Sequence, residues 1–369
     1  MNNPAGMEAR STTLEELEPH LESTFSNNPS LLPVSPLRLD SYLHNPRAQP
    51  SDRVLFEMWD ERRLIAYRTL LPDCFFDESG NAHRFAWLSG NYVIPEYRRQ
   101  GISTRLLQHA EASWEGRLMY TNYAPVSKAV YDRTGQFRHL SMREGARYYL
   151  RSASADLLKE RMGNFTQVLK LGDRLANRLV ERKLERFDQA PDETCTVSRI
   201  SISDPSVRKL VENGSGGSLF RRDAEVFKWI VDHPWISEKK EPVLPYHFSW
   251  SADHFENLHY KFELRDGKGS GFLWLVVHDR KMSAPYLFTD REKILPHMAR
   301  VFIETMISRK IAYATVRHPA LNEALGDYRK WFLSVRSMPQ LIFVHKMLQE
   351  KIPKDFSVQD GDGDVVFTG

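Results

Sequence analysis

The chain has 369 residues, 41% apolar and 27% charged, with a formal net charge of +3. That length can hold two ordinary domains, the balance is that of a soluble globular protein, and so small a charge argues against a dedicated nucleic-acid binder. With only Cys74 and Cys195 present, no disulfide framework or thiolate metal site is expected, and no apolar run approaches the roughly 18 residues of a membrane span.

Residues 1–12 read as a loose leader, with Glu and Pro where a signal peptide needs an apolar core, so a cytoplasmic setting is expected. Thr13 and Glu16 form a capping-box pattern that opens a helix through about Phe25. Prolines 29, 33 and 36 break the next segment into a loop and a short helix. Strands are expected at 54–60, 63–71 and 84–94, a helix from Gly101 to about Trp114, a strand in 116–124 and a short helix over 127–135. Two closing strands follow around Glu144-Gly145.

Residues 154–187 form one long helical pattern, with Leu158, Met162, Phe165, Leu169, Leu175 and Leu179 near one face and basic residues around the rest. It reads as a linker helix packed on both flanking domains, in preference to a membrane-surface helix. From about residue 192 the order repeats: strands at 257–266, 270–279 and 282–288, a helix at 291–310, a strand at 311–317, a short helix at 319–327 and a last strand at 341–348. The fold class expected is α/β, a mixed-sheet architecture of two similar domains, 1–150 and 191–369, joined by the linker 151–190.

The stretch "NYVIPEYRRQGISTRLL" (91–107) carries the chemistry. A strand that enters a basic turn and then a helix aims backbone N–H groups and the positive end of the helix dipole at one point, a natural anion site. Arg98 and Arg99 add charge, and Gly101 allows close approach of a phosphate.

With Val93, Pro95, Tyr97, Arg98, Gly101 and Ser103 in order, followed by a helix, the sequence resembles the GNAT superfamily of acyl-CoA-dependent N-acyltransferases. Ser103 stands where the family usually has Gly or Ala. Asn122, Tyr131 and Gly135 extend the likeness, though Gln136 intervenes before Phe137. The resemblance implies that the backbone of Tyr92, Val93 and Ile94 pairs with the pantetheine arm of acetyl-CoA, the co-substrate. It implies that Arg98, Arg99, Gln100, Gly101, Ile102 and Ser103 cradle the pyrophosphate, that Asn122 orients pantetheine or a water, and that Tyr131 protonates the departing thiolate. The plainer alternative for Tyr131 is a packed tyrosine with a satisfied hydroxyl.

Many members carry a Glu on the strand before Val-x-Pro, but "HRFAWLSGNYVI" has no carboxylate and Glu96 is expected to face solvent. An alkyl amine of pKa near 10.4 is neutral for only about one molecule in 2,500 at pH 7, against roughly a tenth for a pKa of about 8. The missing base therefore leans toward a low-pKa amine such as an amino sugar. Otherwise His83, Ser89 or Asn91 holds a relay water, or a carboxylate arrives from elsewhere. The second half's equivalent turn (285–298) has Asp290 and Glu292 in place of Arg-x-x-Gly. It reads as a degenerate GNAT-like copy without a cofactor loop, forming a wall of the acceptor cleft or a homodimer contact.

No metal is expected. The tail "QDGDGDVVFTG" lacks the further ligands of a calcium loop and reads as acidic and partly ordered, and His247, His254, His259 and His278 lack zinc spacing. The expected function is transfer of acetyl from acetyl-CoA to a small-molecule primary amine by direct attack. The alternative is a non-catalytic acyl-CoA-binding or scaffold protein.

Overall fold

The computed structural model describes residues 6–26, 30–121, 125–157, 166–187, 194–214, 216–238 and 244–368. In chain order its strands are β1 (Met7–Thr13), β2 (Arg53–Asp60), β3 (Arg63–Phe76), β4 (Ala82–Val93), β5 (Leu118–Thr121), β6 (Phe137–Arg143) and β7 (Ala146–Tyr149), then β8 (Cys195–Arg199), β9 (Phe255–Leu264), β10 (Ser270–His278), β11 (Lys281–Thr289), β12 (Tyr313–Val316), β13 (Ser334–Ser337) and β14 (Gln340–His345). The helices of the first half are α1 (Leu14–Phe25), α2 (Pro36–Leu43), α3 (Ile102–Ser113) and α4 (Pro125–Thr134).

The capping box forms as the sequence predicts, with Thr13 N–H donating to Glu16 Oε2 at 3.2 Å. The leader does not stay loose: residues 7–13 add to the edge of β2 as an antiparallel strand, stabilised by backbone pairing that its polar composition does not advertise.

Two seven-stranded mixed sheets form, ordered β1-β2-β3-β4-β5-β14-β6 and β13-β7-β12-β11-β10-β9-β8. Each sheet takes a strand from the other half of the chain. The last strand, β14, inserts between β5 and β6, and β7 inserts between β12 and β13. Sheet membership therefore does not follow the boundaries expected near 150 and 191. The two exchanges form one continuous antiparallel ribbon, in which Arg143 faces Gln340 and Ala146 faces Ser337 on either side of the crossing. Gly145 sits at the crossing, where an added Cβ would lie 2.5 Å from Arg317 Cγ and 2.7 Å from the Met338 carbonyl oxygen. No side chain fits there; the two strands expected around Glu144-Gly145 form, but in different sheets, with the glycine as the passage between them.

The second half packs on the first through Phe220, which touches Phe85 and Trp87, and through Phe227, Trp229 and Phe367 of the same core. The acidic tail is not loosely ordered. Asp360 and Asp362 are buried, with Arg317 2.7 Å from Asp360, while Arg222 meets Asp362 at 3.1 Å and grips Asp73 through two bonds of 2.9 and 2.8 Å. This part of the tail thus lies inside the molecule because each of these two buried carboxylates finds a guanidinium.

The linker pattern is described over Ser154–Leu157 and Thr166–Leu184; Leu158, Met162 and Phe165 lie outside the described residues. Leu175 and Leu179 do not pack on the flanking domains. They are 55% and 68% exposed, and the helix docks instead through Asp173, Val180 and Leu184.

Candidate active site

β4 organises the site. It pairs with β5 only at Ala86 and Trp87, whereas its ladder with β3 runs on to Val93. Beyond Trp87 the two parallel strands part, leaving one edge of β4 without a strand partner among the described residues. The β3 ladder slips between Thr69–Gly90 and Leu70–Leu88, making Ser89 the extra residue of a bulge at the point of divergence.

Ile94 N–H donates to Ile65 O at 3.0 Å, so that amide is committed to β3. Antiparallel alternation turns the backbone groups of Val93 and Asn91 to the open edge and those of Tyr92 and Ile94 away from it. The edge available to an extended ligand is therefore Asn91 and Val93, not the whole run Tyr92–Ile94 expected from sequence.

The basic turn then bends sharply. Arg99 has φ of 64° and Gly101 of 78°, both left-handed, a conformation that costs a non-glycine residue about 1–2 kcal/mol. Such a turn points successive N–H groups into a concavity. α3 starts immediately after, with Gly101 at its N-cap and no side chain capping it, so its first amides remain free to bind an anion. An ideal Cβ built on Gly101 meets nothing within 4 Å, which is room a phosphate group could take.

This concavity belongs to a cleft of about 820 Å³, lined among others by Val93, Arg99, Ser103, Arg133 and, from the second half, His247. Arg98, Gly101 and Ile102 also line it, whereas Gln100 does not and donates to Glu96 O at 3.3 Å. Arg98 lies along the strand, its Nε donating to Val93 O at 3.0 Å and its guanidinium over the Tyr92 ring. Asn122 lies outside the described residues.

Beneath the cleft sits a residue that sequence reading passed over. Arg68 of β3 is 1% exposed. It donates to Tyr131 Oη at 3.0 Å, to Asn91 Oδ1 at 3.2 Å and to Ser103 Oγ at 3.4 Å. It has no ion-pair partner among the described residues. Tyr131 is buried against Tyr120, with ring centroids 4.1 Å apart. Because its oxygen accepts from Arg68, its own hydrogen remains to be donated. The signal in the sequence was a lone Arg within the apolar run "LIAYRTLL" (64–71).

On the second-half side of the bulge, Ser89 Oγ accepts from Arg38 Nη2 at 2.7 Å and donates to Asp364 of the tail. Arg38 is buried over Trp235 and also donates to Tyr42 Oη at 2.8 Å. Burial raises the Asp364 carboxyl above the usual carboxylate range, against the opposing pull of Ser89 and Arg38. A carboxylate thus reaches β4 from the far end of the chain. Glu96 is exposed as expected, and His83 is bonded to Asp77 at 2.9 Å near the other end of β4, away from Ser89. In the second half, Asp290 folds back to accept from Ser270 N at 2.7 Å in the turn that has no Arg-x-x-Gly.

Asp40, His44 and His233 also cluster, with the two rings stacked 4.1 Å apart. His44 Nδ1 lies 2.9 Å from the Asp40 carbonyl oxygen, an acceptor, so that nitrogen carries a proton and the trio reads as a hydrogen-bonded group.

Residues 15–134 match the family described as the acetyltransferase (GNAT) family. No curated protein matches the chain. Among solved structures, N-myristoyltransferase of Saccharomyces cerevisiae with bound myristoyl-CoA aligns at 12% identity and a TM-score of 0.53, over 94% of this chain and 84% of that one. A conserved protein of unknown function from Enterococcus faecalis V583, a probable N-acyltransferase, aligns at 11% identity and a TM-score of 0.52, over 94% and 75%. At these identities the likeness is one of fold: two GNAT-like sheets in tandem, the architecture expected from the sequence.

Proposed function

We propose that this chain, whose residues 15–134 match the acetyltransferase (GNAT) family, transfers an acyl group from an acyl-CoA to a primary amine. The observation that carries the reading is the left-handed pair Arg99 and Gly101, opening onto the uncapped start of α3 beside the unpartnered edge of β4. That arrangement suits a pyrophosphate followed by an extended amide-bearing arm, which Asn91 and Val93 would pair as an added strand.

The residues at the β4 bulge and beneath the cleft suggest the chemistry. Asp364, acting through Ser89, takes the proton of the incoming ammonium; the nitrogen then forms its bond to the thioester carbon. A backbone N–H at the Ser89 bulge faces the developing oxyanion. As the carbon–sulfur bond breaks, Tyr131 gives its proton to the leaving sulfur, with Arg68 stabilising the resulting phenolate. Even a raised carboxylate lies well below an alkylammonium of pKa near 10.4, so the proton transfer is less uphill from a low-pKa amine such as an amino sugar, which remains the preferred acceptor, with acetyl the preferred acyl group. His247, in the cleft wall, gives the second half a part in shaping the site.

The test is a thermal melt with acetyl-CoA and with longer acyl-CoAs, followed by a free-thiol assay across a panel of amines. A shift with acyl-CoA and thiol release that depends on one amine class are expected; no shift in folded protein would sink the reading.

A further inference from the structure

The helix Thr166–Leu184 has three faces. One is docked: Val180 and Leu184 are buried, and Asp173 accepts from Ser152 Oγ and from the amides of Ser154 and Ala155. The second is apolar and open: Val168, Leu171, Leu175 and Leu179 are 67%, 58%, 55% and 68% exposed. The third is basic, with Lys170, Arg174, Arg178 and Arg182 at strict four-residue spacing and all exposed. None of these four has a bonded partner among the described residues.

At 100° per residue, Leu171, Leu175 and Leu179 form a row along the helix, and the basic residues form a parallel row beside it. The acids nearby do little to cancel the charge. Glu181 is spent on the buried Arg151, with bonds of 2.6 and 3.2 Å, and Glu185 stands alone near the end. At the far flank, Lys183 lies over the ring of Trp331, 5.9 Å from its centroid. Four large apolar side chains left in water on one helix, while 41% of the chain is apolar and well-filled cores exist on both sides, are not a shortage of places to bury them.

We infer that this helix is a peripheral docking surface for an anionic lipid bilayer, lying in the interface plane with the leucine row among the acyl chains and the basic row at the headgroups. Charge decides between occupants. A second copy of the chain would bring one basic row against another, whereas a surface of acidic headgroups complements it. Among the described residues no helix is long and apolar enough to cross a membrane, so the attachment is reversible and weakens with salt.

Co-sedimentation of the full chain with phosphatidylcholine vesicles, with and without 30% phosphatidylserine, tests this. Binding about a thousandfold stronger to the anionic vesicles, lost at high salt, is expected from four basic residues at about 1 kcal/mol each. Leu175→Glu with Leu179→Glu should abolish binding to either vesicle. Arg174→Gln with Arg178→Gln should reduce the anionic preference about thirtyfold. Both variants alter exposed positions, and an unchanged melting temperature confirms that each is folded. Native protein that ignores anionic vesicles, a Glu variant that binds like the native, or a leucine-dependent dimer or acidic-protein complex without vesicle binding would each overturn the inference.

Discussion

Gly101 offers a perturbation whose steric and electrostatic parts can be separated. Its φ of 78° is left-handed, and an added Cβ finds open space. Gly101→Ala therefore costs only the backbone strain, about 1–2 kcal/mol. At about 2.1 cal/mol/K per residue, a chain of 369 residues has an unfolding entropy of roughly 0.8 kcal/mol/K, so that strain lowers Tm by about 1–3 °C. Acetyl-CoA at 100 times its Kd adds about 2.7 kcal/mol, a rise of roughly 3–4 °C in the native protein. Gly101→Glu carries the same strain and also puts a carboxylate into the space a phosphate would take. Differential scanning fluorimetry of the three proteins with and without ligand should show two equal drops without ligand. The ligand shift should survive, diminished, in the Ala variant and vanish in the Glu variant. A full ligand shift in Gly101→Glu would refute the anion-cradle argument, since charge and volume would both have been added there without effect.

Tyr131→Phe should lower kcat by about 10²–10⁴ with little change in the KM for acyl-CoA, and Arg68→Met should add little to that loss in the same background. Comparable losses from Arg68→Met in both backgrounds would detach Arg68 from Tyr131. Burial raises the Asp364 carboxyl, and a base works only when deprotonated. Turnover should therefore climb with pH through a limb lying above the ordinary aspartate range, near 3.9, and flatten beyond it; Asp364→Asn should remove the limb, and an unchanged profile would exclude this base. Arg222→Met leaves Asp73 and Asp362 buried and uncompensated, so urea denaturation should report a loss of about 3–5 kcal/mol. A loss under about 1 kcal/mol would mean the tail is not locked by this charge cluster.

Local chemistry was legible in the sequence, and tertiary partnership was not. The capping box at Thr13 and the strand-turn-helix around Gly101 are properties of a few adjacent residues, and both appear where the pattern places them. Arg68 and Asp364 were invisible as site residues because their partners, Tyr131 and Ser89, are far away in sequence. The tail was misjudged for the same reason: acidic residues look solvated until the arginines that bury them are found. Leu175 and Leu179 show a subtler limit. Helical periodicity identifies an apolar row but not whether anything covers it.

The exchanged strands carry a consequence for how the protein is made. On the ribosome, the first sheet has all its strands but one once β6 emerges, yet the slot between β5 and β6 belongs to β14, which lies in the other half of the chain. At about 5–20 residues per second, that slot waits for some tens of seconds, its edges open to any other chain with a strand to offer. Until β14 arrives, the nascent N-terminal half is exposed to mispairing at that slot. A stop codon between Arg143 and Gln340 should yield, in place of a working first domain, an aggregate seeded at β5.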